Sequence, residues 1–158
     1  MRSLHVYTDT SAVGGCLDPE FSEASGRLFE RFRSGELILV LSDLTFLELE
    51  RAPSVVRAVL DGVPMEHREE IAFTGEASEL AERYLEARVI GGSMRTDAQH
   101  IATATVHRVD VLVSWNFKHI VNLPRIHGYN SVNLREGYPV LEIRSPREVI
   151  GHEEREEL

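Results

Sequence analysis

The sequence predicts an α/β fold in which a mostly parallel sheet carries helices on both faces. Segments with strand-like and helix-like patterns alternate along the 158 residues, and residues 37–41 form an uninterrupted apolar run. Such a run is typical of a parallel strand that is covered on both faces. Alternating strands and helices are connected by right-handed crossovers, which place helices on both sides of the sheet.

The first half of the chain is predicted to contain two strands and three helices. Residues 4–8 are expected to form the first strand, and the apolar run at 37–41 the second. Apolar side chains recur at helical spacing before Gly35, which marks the end of the first helix. Helices are expected at residues 22–33 and at residues 55–60. A third helix is expected between them, capped by Ser42 and carrying Glu48.

The second half is predicted to contain two helices and two strands. Apolar side chains recur at helical spacing over residues 76–88, and Gly91-Gly92 is expected to stop this helix. Thr96 and Gln99 are spaced as a capping box at the start of the other helix. The remaining expected segments are a strand at residues 110–114, an irregular stretch through Asn133 and an edge strand at residues 140–143.

The composition favours one compact domain, because 42% apolar and 27% charged residues suit a core of ordinary size. We expect the domain to cover residues 1–150 and an acidic tail, rich in glutamate, to cover residues 151–158. Neither a signal peptide nor roughly 20 consecutive apolar residues is apparent, so a cytoplasmic protein without a membrane partner is expected. With a single cysteine, Cys16, any metal must be held by oxygen or histidine ligands.

The net charge of −9 argues against a broad basic surface for nucleic acid, since Lys and Arg neutralise phosphates in most such proteins. A carboxylate metal site and the glutamates of the tail account for part of this charge. Binding of RNA then requires local cations, for which the candidates are Arg51, Arg95, Lys118 and His119.

Acidic or amide side chains follow the predicted strands or open the helices beside them. These are Asp9 after the first strand, Glu48 in the helix after the second, Asp97 at the head of a later helix, and Asn116 after the next strand. In an open α/β sheet, ligands bind beyond the carboxyl ends of the strands, so these side chains are expected to converge there. Carboxylates that share a cleft repel one another and recruit a cation.

Magnesium or manganese suits such a site, because both ions prefer hard oxygen ligands. Magnesium is typically held by one or two carboxylates together with waters and substrate phosphates. Two ions about 4 Å apart can activate a water and stabilise the leaving oxygen in phosphodiester hydrolysis. This chemistry requires no protein nucleophile, and none is apparent in the sequence.

The segments YTDTSAVGG, LSDLTFLELERA, RTDAQHIATATVHRVDVLVSWNFKHI and VNLREGYPVLEIRSPREVI together resemble a bacterial or archaeal PIN domain. The likeness covers almost the whole chain in the correct order. It implies a three-layer α/β/α sandwich around a short, mostly parallel sheet. It also implies Mg²⁺- or Mn²⁺-dependent ribonuclease activity of the kind found in toxins of type II toxin–antitoxin pairs, with RNA as substrate, a small antitoxin as partner and a homodimer as assembly.

The same resemblance implies roles for individual residues. Asp9 in TDTS matches the family's strand-end motif, Glu48 followed by Leu matches its helical glutamate, and Asp97 matches the Asp before an Ala-rich helix; these three are the expected metal ligands. Asn116 stands where the family usually has Asp, so it is expected as an auxiliary catalytic ligand, and one metal or two remain open. Glu50 is a rival to Glu48, but it lies roughly 200° around the helix.

Several neighbouring side chains are weaker candidates. Ser11, Ser114 and Lys118 are expected near the substrate, or, for the two serines, as groups that orient Asp9. His100 lies three residues after Asp97, and we interpret it as a residue of the helix surface rather than as a phosphate contact. The aromatic rings of residues 115 and 117 offer stacking surfaces for a base, although aromatic residues in such a loop more often cover the core.

The sequence also allows two other classes of function. The first is a PIN-fold binding module for RNA or a protein, in which the altered fourth position leaves no catalysis. The second is a phosphoryl-transfer domain, either a haloacid-dehalogenase-like phosphatase or a receiver. It is disfavoured, because the phosphatase pattern requires Asp where this chain has Ser11, and receivers place an acidic pair where it has Tyr7 and Thr8.

Overall fold

The computed structural model describes residues 2–156, with side chains described for residues 2–151. The strands in this part of the chain are β1 (Leu4–Thr8), β2 (Leu37–Ser42), β3 (Arg68–Ile71), β4 (Val111–Val113) and β5 (Ile143–Arg144). They form one parallel sheet in the order β3-β2-β1-β4-β5. The first strand is central, since Val6 pairs with Leu39 on one side and with Val111 on the other.

Helices connect these strands. Their bounds are α1 (Thr10–Gly14), α2 (Ser22–Ser34), α3 (Asp43–Leu49), α4 (Ser54–Asp61), α5 (Gly75–Glu86), α6 (Arg95–Val106), α7 (Leu123–Arg135) and α8 (Pro146–Glu156). Over residues 2–156, none of the helices combines the length and the apolar character needed to cross a lipid bilayer.

The sheet separates two apolar cores, because neighbouring residues of a strand point to opposite faces. Val6 packs on one face with side chains of α2 such as Phe29. Tyr7 packs on the other face with Leu80 of α5 and Ile101 of α6. Helices therefore cover both faces, and the predicted three-layer α/β/α sandwich with a short parallel sheet is confirmed.

The stretch before Asn133 was expected to be irregular, and this prediction is wrong, because α7 runs from Leu123 to Arg135. The side chain of Asn122 caps this helix by accepting a hydrogen bond from the main-chain N–H of Arg125 at 3.0 Å. Two of its five apolar side chains, Leu123 and Leu134, are exposed, so the amphipathic pattern is weak. The signal that could have revealed it is Asn-Leu-Pro, since Asn is a preferred cap and Pro is favoured in the first turn.

The strand β3 was missed because its sequence is Arg-Glu-Glu-Ile, which carries no apolar run. It lies at the edge of the sheet, where charged side chains are tolerated and discourage pairing with another chain. At the opposite edge, the strand expected at residues 140–143 is shorter and displaced: β5 covers Ile143–Arg144, and β4 lies between it and the central β1.

Three predicted helix ends differ from the structure. Ser42 precedes α3, but its hydroxyl makes no capping bond and contacts Tyr7 instead. The helix α6 begins at Arg95, so Thr96 lies inside it and the expected capping box is absent. The helix α5 ends at Glu86, before Gly91-Gly92, because Arg88 adopts a left-handed conformation with φ of 59°.

The last helix crosses the expected boundary between residues 150 and 151. Its start is stabilised by Ser145 and Glu148: the main-chain N–H of Ser145 donates to Oε1 of Glu148 at 3.0 Å, and the N–H of Glu148 donates to Oγ of Ser145 at 3.3 Å. This is the reciprocal pattern of a capping box. The side chains of the expected acidic tail, Glu153, Glu154, Glu156 and Glu157, lie outside the described residues.

Candidate functional site

The candidate side chains come from different elements at the carboxyl edge of the sheet. Asp9 directly follows β1, and Asn116 follows β4, which is the neighbour of β1. Glu48 belongs to α3, which follows β2, and Asp97 lies in the first turn of α6. Parallel strands end at the same edge, so the chain topology brings these positions together.

Asp9 is held by hydrogen bonds to both of its carboxylate oxygens. Oδ1 accepts bonds from the main-chain N–H of Ala12 at 3.0 Å and from the hydroxyl of Ser11 at 2.7 Å. Oδ2 accepts a bond from the hydroxyl of Ser114 at 2.5 Å. Asp9 is therefore the cap of α1, and its carboxylate has one fixed orientation, with 6% of the residue exposed.

The pKa of Asp9 is raised above its ordinary value because burial disfavours the charged form. The hydroxyl of Ser114, the charge of His100 and the other hydrogen bonds oppose this effect without cancelling it. A buried carboxylate with a raised pKa is in a position where a cation would stabilise its charge.

Asp97 interacts electrostatically with both of the other acidic candidates. Burial raises its pKa most, and the charges of Asp9 and Glu48 raise it further. The charges of His100 and His119 act in the opposite direction. The three predicted carboxylates are thus close enough to influence one another in the folded chain.

Asn116 presents its side-chain nitrogen to Asp97. Nδ2 of Asn116 donates to Oδ2 of Asp97 at 3.3 Å, while Oδ1 accepts a bond from the main-chain N–H of His119 at 2.9 Å. A main-chain N–H can only donate, which defines the orientation of the amide. The main-chain N–H of Asn116 also donates to Oγ of Ser114 at 2.9 Å, so this residue links Asp97 to the serine that holds Asp9.

Glu48 accepts a hydrogen bond from Nε2 of His100, whereas Glu50 is exposed beyond the end of α3. Burial acts to raise the pKa of Glu48, but the hydrogen bond and the charge of His100 outweigh it and hold that pKa below its ordinary value. The interpretation of His100 as a surface residue is wrong, because only 2% of it is exposed. Its position three residues after Asp97 was the signal, since such residues are neighbours on a helix.

The weaker candidates differ in their surroundings. Ser11 and Ser114 donate to Asp9, and Ser114 is fully buried, which is the geometry of groups that orient Asp9. Lys118 is exposed beside Asn116. Trp115 is buried, with Nε1 donating to Ser25 at 2.8 Å, so it covers the core; the ring of residue 117 is 47% exposed.

The chemistry of the donor set fits a hard divalent cation. Asp9 and Asp97 supply oxygens only, and one or two carboxylates completed by waters are a usual environment for Mg²⁺. Within the described part of the chain, however, no three Asp, Glu, His or Cys side chains are arranged as a ready metal cage. Asp9, Asp97 and Glu48 are the carboxylates that could hold the ion, and each already accepts a hydrogen bond from a neighbouring side chain.

No protein-family model and no curated protein matches the sequence. Among solved structures, the chain is similar to the crystal structure of VapBC2 from Rickettsia felis bound to a DNA fragment from their promoter. That match has a TM-score of 0.56 and 15% identity, and it covers 90% of this chain and 98% of the other. FitAcB from Neisseria gonorrhoeae is similar with a TM-score of 0.50 and 15% identity, over 89% of this chain and 97% of the other. These likenesses concern the fold alone, and they agree with the PIN-like α/β/α architecture expected from the sequence.

Proposed function

We propose that this chain is a metal-dependent endoribonuclease that hydrolyses phosphodiester bonds in RNA and serves as the toxin of a toxin–antitoxin pair. The observation that supports this most directly is the hydrogen-bonded path that connects Asp97 to Asp9 through Asn116 and Ser114 at the carboxyl edge of the sheet. The PIN-like fold supports it at the level of architecture.

In this proposal, Asp9 and Asp97 hold Mg²⁺ or Mn²⁺, and Glu48 helps to hold the ion or a water beside it. When bound, the ion lowers the pKa of a water for attack on phosphorus and neutralises charge on the leaving oxygen. Ser11 and Ser114 keep the Asp9 carboxylate in one orientation through their hydrogen bonds. Asn116 does the same for Asp97, with its nitrogen as the donor.

The surface beside the carboxylates supplies the local cations that an acidic protein requires for RNA. Lys118 is exposed next to Asn116, and His119 is near enough to Asp97 to lower the pKa of that carboxylate. Arg95 is paired with Glu82, so part of its charge is neutralised. We therefore assign the first phosphate contacts to the segment after β4, with Lys118 as the principal candidate.

The family resemblance supports an antitoxin as the partner and a homodimer as the assembly. The similarity to VapBC2, which was crystallised with DNA from its own promoter, is consistent with that proposal. A segment of the antitoxin that carries Arg or Lys would complement the acidic cleft around Asp9 and Asp97.

The proposed activity is tested by incubating the purified chain with single-stranded RNA and MnCl₂, with an EDTA control. We expect cleavage with Mn²⁺ and none with EDTA. Asp9→Asn should abolish cleavage, while Asp61→Asn, which alters a carboxylate on α4, should leave it unchanged. Full activity of Asp9→Asn, or cleavage that persists in EDTA, would contradict the assignment.

A PIN-fold binding module is the second candidate, and one observation favours it. Asn116 directs a nitrogen rather than an oxygen toward Asp97, which reduces the number of oxygens available for a second ion. A chain of this class would retain RNA in a mobility-shift assay with Mn²⁺ and release it uncut.

A further inference from the structure

A continuous chain of hydrogen bonds connects the sheet to Glu48. The hydroxyl of Tyr7 lies 2.6 Å from Oγ of Ser42 and 2.6 Å from Nδ1 of His100. Nε2 of the same ring contacts Oε1 of Glu48. The chain therefore joins the ends of β1 and β2 to α6 and α3, which are the elements that carry the candidate site.

The inner members of this chain are buried. Tyr7 and Ser42 are fully buried, and His100 is 2% exposed, whereas the side chain of Glu48 is 38% exposed. A buried polar group that lacks a hydrogen-bond partner costs free energy. Loss of one of these buried side chains would therefore leave its neighbour in the chain without a partner. The rings of His100 and Tyr7 also pack in a T-shaped arrangement, with centroids 5.7 Å apart and planes at 68°. Glu48 is thus held from a rigid interior while its carboxylate reaches the solvent-facing site.

The direction of the bonds follows from donor and acceptor chemistry. An ionised carboxylate only accepts, so Nε2 of His100 must carry the proton in its bond to Glu48. Burial raises the pKa of Tyr7, so its hydroxyl keeps its proton. Nδ1 of His100 is the ring atom that bonds to the hydroxyl of Tyr7, and the Tyr7 oxygen also bonds to Oγ of Ser42. This is the logic by which outer hydrogen bonds select the tautomer of a histidine.

We propose that His100 is a positioning residue that directs the Glu48 carboxylate toward Asp9 and Asp97, and that Tyr7 and Ser42 hold its ring in the orientation with Nε2–H facing Glu48. This inference rests on the proposed function and extends it to residues of the sheet interior. His100 touches neither the ion nor the RNA in this arrangement. It acts through Glu48.

The first test reads the ring of His100 directly. Long-range ¹H–¹⁵N NMR of the metal-free protein distinguishes a protonated Nε2 from a protonated Nδ1, and assignment uses His100→Gln. We expect a protonated Nε2 in the wild type. A neutral ring with the proton on Nδ1 would overturn the proposal, whatever the nuclease activity.

The second test measures Mn²⁺ affinity by titration calorimetry and RNA cleavage in parallel. Tyr7→Phe and His100→Leu should each weaken Mn²⁺ binding or kcat/KM by about 10–100-fold, which is typical for the loss of an outer partner of a metal ligand. His100→Gln places an amide N–H near the position of Nε2 and should restore most of the loss. Tyr84→Phe is the matched control, because Tyr84 is equally buried but bonds to Asn133.

The outcomes separate the two proposals. Mn²⁺ binding and cleavage that remain unchanged in folded Tyr7→Phe and His100→Leu would overturn the positioning role and leave the nuclease proposal standing. Circular dichroism and thermal unfolding show which variants are folded, and the NMR measurement on the wild type requires no variant. A wild-type chain that neither binds Mn²⁺ nor cleaves RNA would overturn both proposals.

Discussion

The side-chain nitrogen of Asn116 lies 3.3 Å from Oδ2 of Asp97, and the side-chain oxygen of Asn116 is bonded to the main chain of His119. The amide therefore stabilises a carboxylate that is already under repulsion from Asp9 and Glu48. A carboxylate at position 116 would remove this donor and add a further negative charge.

Asn116→Asp should consequently separate stability from metal binding. In EDTA we expect the free energy of unfolding to fall by about 1–3 kcal/mol, because the half-buried Asp97 loses a donor and gains a like charge. Mn²⁺ should bind more tightly, because the site gains a charged oxygen. Urea unfolding and calorimetry measure the two effects. Asn130→Asp, at an amide that bonds to Leu141, is the control that should leave Mn²⁺ affinity unchanged.

Asp9 should contribute a pH dependence of the opposite sign to that of an ordinary ion-paired carboxylate. Its pKa is raised in the folded protein, so the folded state binds the proton more tightly than the unfolded state, whose pKa is near 3.8. The stabilisation that this group contributes is fully present below pH 3.8. It is lost as the pH rises through the pKa of Asp9 in the folded protein.

In EDTA, the unfolding free energy of the wild type should therefore fall relative to that of Asp9→Asn as the pH rises from about 3.5 toward neutrality. The change corresponds to roughly one proton, because only the Asp9 carboxyl group differs between the two proteins. Urea unfolding of both proteins across this range measures it. Saturating Mn²⁺ should reverse the shift for the wild type alone, because a ligand of the folded state stabilises it. A difference that is independent of pH would show that Asp9 is not destabilised by its surroundings.

Glu48 and Glu50 provide a matched pair on one segment. Glu48→Gln should reduce cleavage by at least roughly 10–100-fold. Loss of a residue that only supports a metal ligand already has an effect of this size. Glu50→Gln should change cleavage by less than about twofold, because Glu50 is exposed and lies roughly 200° away around the helix. Steady-state cleavage of one RNA by both variants decides between them, and equal losses would show that neither glutamate faces the site alone.

Asn122 connects the start of α7 to the segment after β4. Its Oδ1 caps the helix at Arg125, and its Nδ2 donates to the carbonyl oxygens of residues 117 and 118 at 2.9 and 3.1 Å. Asn122→Ala should lower the unfolding free energy by about 1 kcal/mol, the usual value of such a cap.

Asn122→Asp keeps the cap, so it should recover most of the stability that Asn122→Ala loses. Both variants lack the two donated bonds that hold the segment around Lys118, so both should bind RNA more weakly than the wild type. Thermal unfolding and RNA binding of both variants measure these effects. Equal stability and RNA affinity in Asn122→Ala and the wild type would contradict this role.

Local sequence patterns were sufficient for the strands and helices that have a strong period. The central strands, most of the helices and the placement of Asp9 and Asn116 after strands followed from apolar runs, helical spacing and turn residues. The layer architecture followed from their alternation. These features depend on contacts within a few residues and on which face of an element is apolar, and both can be read along the chain.

Only the tertiary structure decided which partner each polar atom has. His100 contacts Glu48 across 52 residues, and the strand β3 exists because β2 offers it an edge, although its own residues are mostly charged. The amide of Asn116 is oriented by the main chain of His119, and the chemistry of Asn alone does not indicate that orientation. Burial, hydrogen-bond direction and mutual charge effects arise when distant elements pack together, so they lie beyond the reach of a local pattern.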